Sequence, residues 1–299
     1  MGVQRLLKGF GLLAFSWLVW LLLIYKLGYF FGTGDHVELL PLVLHKVNPE
    51  LFQNDFFVQG ITSYQPNERS TFTALLLPFA SNLEWVCLIG HFCSTLLLIT
   101  GLWLLFQHFK ISPLLSALSI VLALVWLYGR TLGGVELYYN TFQASNLAKG
   151  IGVFAIVCWL RKRSYWAFFL LGIMTLMQIT AGLTLGIPMA LAHLSLRLQK
   201  EGFLSTVKPI LLYALIAMPF LISIVLARKT NATADLNYYF QILFEFRHPH
   251  HFLLSSHSLR RILLVASFYI LGLIGLKKTS PELHRLLLFM GILLLIYIA

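Results

Sequence analysis

Long apolar runs recur from one end of this chain to the other. A bilayer core of about 30 Å takes roughly 20 mainly apolar residues in one helix. Runs of this kind occupy 10–31, 83–107, 112–128, 145–160, 165–181, 182–198, 207–227, 261–276 and 283–299. Backbone groups inside a bilayer find no water, so such runs fold as helices. The sequence therefore predicts an all-α, polytopic transmembrane helical bundle of about nine spans. Residues 1–299 form a single transmembrane domain, because no linker, repeat or low-complexity stretch divides them. Composition agrees: 59% of residues are apolar and 11% charged, where a soluble domain carries about 25% charged residues. High hydrophobicity also excludes a disordered chain. Cys87, Cys93 and Cys158 all sit in apolar runs, which excludes a disulfide framework and a Cys-based zinc module.

The first run is too long for a signal-peptide core and lacks a small-residue cleavage site, so it reads as an uncleaved anchor. The run 145–160 is short and carries Lys149, which can snorkel to the headgroups. The runs 165–181 and 182–198 have almost no loop between them, which predicts a tight helical hairpin around Thr180, Ala181 and Gly182. The last run stops at Ala299 without a polar tail, as expected of a chain truncated at its C-terminal end.

Lys and Arg set the orientation. With the N-terminus in the cytoplasm, the inner segments hold Arg5, Lys8, Lys110, Arg161, Lys162, Arg163, Arg197, Lys200, Lys208, Lys277, Lys278 and Arg285 against only Glu201 and Glu282. The other nine acids all fall outside, as do the long loops. The net charge of +11 is thus mostly a topology signal, and no nucleic-acid partner is needed to explain it.

Three outer loops, about 32–82, 129–144 and 228–260, carry the polar content. The first opens with Gly32-Thr33-Gly34, which breaks the first helix, and continues Asp35-His36-Val37-Glu38. Asp35 and Glu38 lie three apart, on one face of a short helix with Asp35 near its N-cap. Leu39, Leu40, Leu42, Val43 and Leu44 give that helix an apolar side that suits the membrane surface. Asn48-Pro49 ends it, and Asn54-Asp55 adds an acid before Phe56-Phe57. The acids can serve as a general base or, as Asp35 with Glu38, as ligands of a divalent metal such as Mg or Mn. A capping Asp beside a solvated Glu is the simpler alternative.

The second loop places Arg130 and Glu136 among glycines with Tyr128, Tyr138 and Tyr139. Tyr rings there can anchor the interface. They can equally line a sugar- or phosphate-binding edge with Arg130, Glu136 and Tyr138. The third loop contains Arg247-His248-Pro249-His250-His251 and then His257. Pro249 prevents a regular helix, so the imidazoles fan out. Arg247 with His250 and His251 suits a phosphate group, proton transfer or a metal. His91, His193 and Gln178 lie within spans, where a polar residue marks a pathway or a satisfied helix–helix bond.

The order of these parts resembles the GT-C class of membrane glycosyltransferases. The likeness rests on a basic N-terminus and one span, a long outer loop that opens on Asp35-His36-Val37-Glu38, and short spans with basic inner turns such as Arg161-Lys162-Arg163. Asn48-Pro49-Glu50-Leu51-Phe52 with Asn54-Asp55, and Arg247-His248-Pro249-His250-His251, look closest to a less characterised bacterial GT-C-like membrane family. The resemblance implies a transferase of the bacterial inner membrane with a polyprenyl-phosphate-linked sugar as donor and a glycan, lipid or protein as acceptor. It implies that Asp35 is the general base, Glu38 its neighbour or a metal ligand, and Asp55 a second acid. It further implies that Arg247, His250 and His251 hold the carrier phosphate. Two other classes fit the same chain: a transporter or flippase, and a non-catalytic subunit of an envelope assembly.

Overall fold

The computed structural model describes residues 2–63, 65–67, 69–128, 137–230, 235–247 and 253–298. Among them the chain is all helical, with no strand. Helix α1 spans Gly2–Leu27 and ends at Gly28, whose φ of 80° turns the chain out of the helix. Three short helices follow: α2 (His36–Val47), α3 (Phe56–Thr62) and α4 (Ser70–Leu76). A 3₁₀ segment, Leu77–Asn82, leads into the long α5, Leu83–His108. Helix α6, Pro113–Val121, loosens into a wider turn over Leu122–Trp126. The remaining elements are α7 (Ala144–Leu160), α8 (Ser164–Met177), α9 (Ile179–Glu201), α10 (Phe203–Thr230), α11 (Leu236–Gln241), α12 (Leu259–Thr279) and α13 (Pro281–Ile298).

Five stretches within these helices are long and apolar enough to cross a membrane: Gly9–Leu27, Ser70–His108, Ile179–Glu201, Phe203–Ser223 and Leu259–Thr279. They mark an integral membrane protein. Pro113–Trp126, Ala144–Leu160 and Ser164–Met177 are apolar but shorter. The expected hairpin around Thr180 to Gly182 breaks earlier, at Gln178, whose extended backbone (φ −149°, ψ 101°) separates α8 from α9. The reason is packing. Gly182 lies inside α9 against Thr175, where any Cβ would overlap the α8 backbone, so this glycine provides the crossing and not the turn.

Three cores hold the bundle. One joins α7, α8, α9, α10 and α13 around Trp159, Phe168, Leu171, Met189 and Ala217. A second packs α1 against α5 and α6 through Val19, Leu23, Ile99, Ile120 and Leu124, and takes in Tyr138. The third gathers the first long loop: Leu39, Leu40 and Val43 of α2 meet Phe72 and Leu76 of α4, Cys87 of α5, and Phe142 and Ala144. The α2 stripe follows helical periodicity, since 36, 39, 40 and 43 share one face. This third core fixes the first loop on the bundle and so sets where its acids stand. Elsewhere, both acids of the expected inner side pair with bases of that side, Glu282 with Lys162, and Glu201 with Arg197 at 2.7 Å.

Candidate functional site

The segment Asp35-His36-Val37-Glu38 divides its side chains by role. His36 is 1% exposed and points into the protein. Its Nδ1 accepts the Gly32 N–H at 3.1 Å, which leaves the proton on Nε2. That Nε2–H donates to the carbonyl of Phe142 at 2.7 Å. Burial pulls the imidazole below its ordinary value of 6.5, against the opposing pull of the Phe142 bond and of Asp35. Asp35 stands at the N-cap position just before α2, exposed, and does not cap the helix with its carboxylate. Glu38, one turn on, accepts from Arg69 Nη2 at 2.6 Å. The Arg69 guanidinium in turn lies 5.2 Å from the centre of the Phe57 ring. The first loop is therefore braced around α2, and the exposed Asp35 stands at its start.

Asp55 accepts the Val58 N–H at 2.8 Å and caps α3. The structure thus assigns the capping role to Asp55, whereas the sequence offers it to Asp35. Arg69 and His36 went unnoticed in the sequence. Periodicity carries a signal for His36, which falls on the buried stripe of α2. Nothing in the spacing of Arg69 announces its bond to Glu38.

The second group of polar residues surrounds His91, which is fully buried in α5. Its Nδ1 accepts from Trp20 Nε1 at 3.0 Å and its Nε2–H donates to the Tyr139 carbonyl at 2.8 Å. Tyr29 and Tyr138 stack tilted or edge-on to this imidazole, 5.1 and 5.2 Å away. Tyr138, offered by the sequence as an interfacial anchor or as part of a binding edge, is 2% exposed and belongs to the core between α1, α5 and α6. Among the described residues, the buried phenol oxygens of Tyr29 and Tyr138 have no hydrogen-bond partner. Burial, as the main cause, pushes both phenols well above their ordinary value. Lys149 from α7 sits 3.8 Å over the Tyr139 ring. At the far end of the bundle, His193 Nδ1 likewise accepts from Trp159 Nε1, at 3.1 Å. Both span histidines are therefore bonded between helices.

Arg130, Glu136, His248, His250 and His251 lie outside the described residues, and Arg247 is described by its backbone alone, at the end of the wide turn Ile242–Arg247. Among the described residues no three His, Cys, Asp or Glu side chains converge as metal ligands. Glu38, read from the sequence as a metal ligand with Asp35, has one carboxylate oxygen engaged by Arg69.

No known protein family, curated protein or solved structure matches this chain.

Proposed function

We propose that this membrane protein is a glycosyltransferase of the GT-C type, with Asp35 as its general base. One observation carries the reading: an exposed carboxylate stands at the start of a helix held by the His36–Phe142 bond, the Glu38–Arg69 pair and the apolar core beneath. A base is effective when its neighbours hold it in place, and general-base catalysis contributes about 10²–10⁴-fold.

The acceptor hydroxyl gives its proton to the Asp35 carboxylate as its oxygen attacks the anomeric carbon. The bond from that carbon to the phosphate oxygen breaks, and the polyprenyl phosphate leaves with the electron pair. Arg247, His250 and His251 are proposed to hold that phosphate, since fixed cations stabilise leaving-group charge. Glu38 keeps Arg69 and the helix in register.

In this reading the three shorter apolar helices and α13 add to the five long ones to give about nine crossings. The N-terminus is cytoplasmic, the membrane is the bacterial inner membrane, and the acceptor is a glycan, lipid or protein on the outer face.

The test is transfer by purified protein in lipid, offered radiolabelled polyprenyl-phosphate sugars, with and without Mg²⁺ or Mn²⁺. Turnover by wild type that is lost in a folded Asp35→Asn variant supports the proposal. Turnover that survives in Asp35→Asn removes Asp35 as the base. No turnover with any donor from folded protein points to a transporter or a non-catalytic subunit.

A further inference from the structure

The segment 137–143, which enters α7, is held by bonds that come from both sides of two imidazoles. Tyr139 offers its carbonyl to His91 and Phe142 offers its carbonyl to His36. Between them the Asn140 carbonyl accepts the Phe30 N–H at 2.9 Å. The opposite nitrogen of each ring accepts an N–H from α1 or from the turn after it: Trp20 on His91, Gly32 on His36. Each imidazole therefore bridges the α1 side to the 137–143 strap, and both rings carry their proton on Nε2. We propose that His36 and His91 are paired neutral clips between α1 with its 28–34 turn and this strap, and that acid opens both.

The chemistry follows from the donor and acceptor count. A neutral imidazole accepts at one nitrogen and donates at the other, while an imidazolium only donates. Protonation would set a new N–H against the Gly32 amide on His36 and against the Trp20 indole on His91. Neither donor can accept, so the α1-side bond of each clip is lost while the strap-side bond remains. Bulk solvent does not reach either ring to compensate, because His36 is 1% exposed and His91 is fully buried.

The surrounding groups do not offset this. From α2 come Asp35 and Glu38, and Glu38 is already paired with Arg69 of α4. From α5 come Glu84 and Cys87, from the segment after α1 comes Tyr29, from the stretch after α6 and its wide turn comes Tyr128, and from the strap come Tyr138 and Tyr139. From α7 comes Lys149, over the Tyr139 ring. Among these, Asp35 is the carboxylate that favours an imidazolium at His36, and burial outweighs it. The inference is independent of the glycosyltransferase reading, since it rests on four hydrogen bonds and not on the reaction.

Hydrogen exchange read by mass spectrometry, on the full chain in lipid nanodiscs, tests it directly. The amides of Phe30 and Gly32 report the clip, and protection is corrected for the intrinsic rate at each pH. Between about pH 7.5 and about pH 4.5, well below the ordinary imidazole value, segment 28–35 of wild type is expected to lose protection. The loss should be roughly tenfold, the worth of one hydrogen bond, and should reverse on return to neutral pH. Helices α7 and α8 should keep their protection. Gln can accept and donate at similar positions without titrating, so the double variant His36→Gln, His91→Gln is expected to hold segment 28–35 closed at both pH values. Three results overturn the proposal: no loss in wild type, an equal loss in the double Gln variant, or a loss in α7 and α8 at the same pH. Should the Gln variant fail to fold, the wild-type comparison of segment 28–35 with α7 and α8 decides between local opening and global unfolding.

Discussion

His36 and Phe142 stand 106 positions apart in the chain, yet the imidazole Nε2–H of one donates to the carbonyl of the other at 2.7 Å. That bond joins the first outer loop to the segment that starts α7. It also places the helix that begins at Asp35.

Removing the His36 side chain leaves the buried Phe142 carbonyl without its partner and takes the acceptor from the part-buried Gly32 amide. His36→Ala should therefore cost about 1–3 kcal/mol of stability. His36→Gln, which can still accept and donate, should recover most of it. Thermal melts of both variants in lipid check the pair. Equal destabilisation by Ala and Gln would count against the hydrogen-bonding role.

The same residue sets a pH dependence. Its folded-state value lies below the unfolded value of 6.5, so the unfolded chain binds more protons in acid. Stability is then fully present above that unfolded value and declines as pH falls below it. Melting temperature against pH in wild type should drop below about pH 6.5, and the drop should shrink in His36→Gln.

Asp55 caps α3 through the Val58 N–H. Asp55→Ala should lower stability by about 1 kcal/mol, whereas Asp55→Ser, another good cap, should restore most of it. Denaturation midpoints of the two variants separate a capping oxygen from a requirement for charge.

Gly182 sits where α9 crosses Thr175 of α8. Gly182→Ala would push a methyl group into the α8 backbone, and overpacking of this kind costs about 1–3 kcal/mol. The outcome is read from the melting temperature. Gly275→Ala, where no atom lies within 4 Å of the added Cβ, is the neutral control.

Asp35→Asn keeps the size of the side chain but takes up no proton. If Asp35 is the base, turnover should fall about 10²–10⁴-fold in a variant that still folds. Steady-state transfer rates measured beside melts decide it.

Most helices were legible in the sequence because the bilayer leaves apolar runs little choice. The run 83–107 became Leu83–His108, and 145–160 became Ala144–Leu160. Helix ends were less legible, since local turn signals compete. The glycines at 32 and 34 look like the stop of the first helix, but Gly28 takes the positive φ first. The hairpin between α8 and α9 moved to Gln178 for a tertiary reason, the contact of Gly182 with Thr175.

By itself, the sequence determined an all-helical membrane chain and the place of its polar loops, because both follow from transfer free energy and residue order. Tertiary structure alone decided the partners. That Arg69 meets Glu38, that Trp20 and Tyr139 meet at His91, and that Tyr138 is buried, all depend on contacts between segments far apart in the chain. Helical periodicity tells which face of α2 is buried. It does not tell which backbone carbonyl lies beneath that face, and only the folded chain brings Phe142 there.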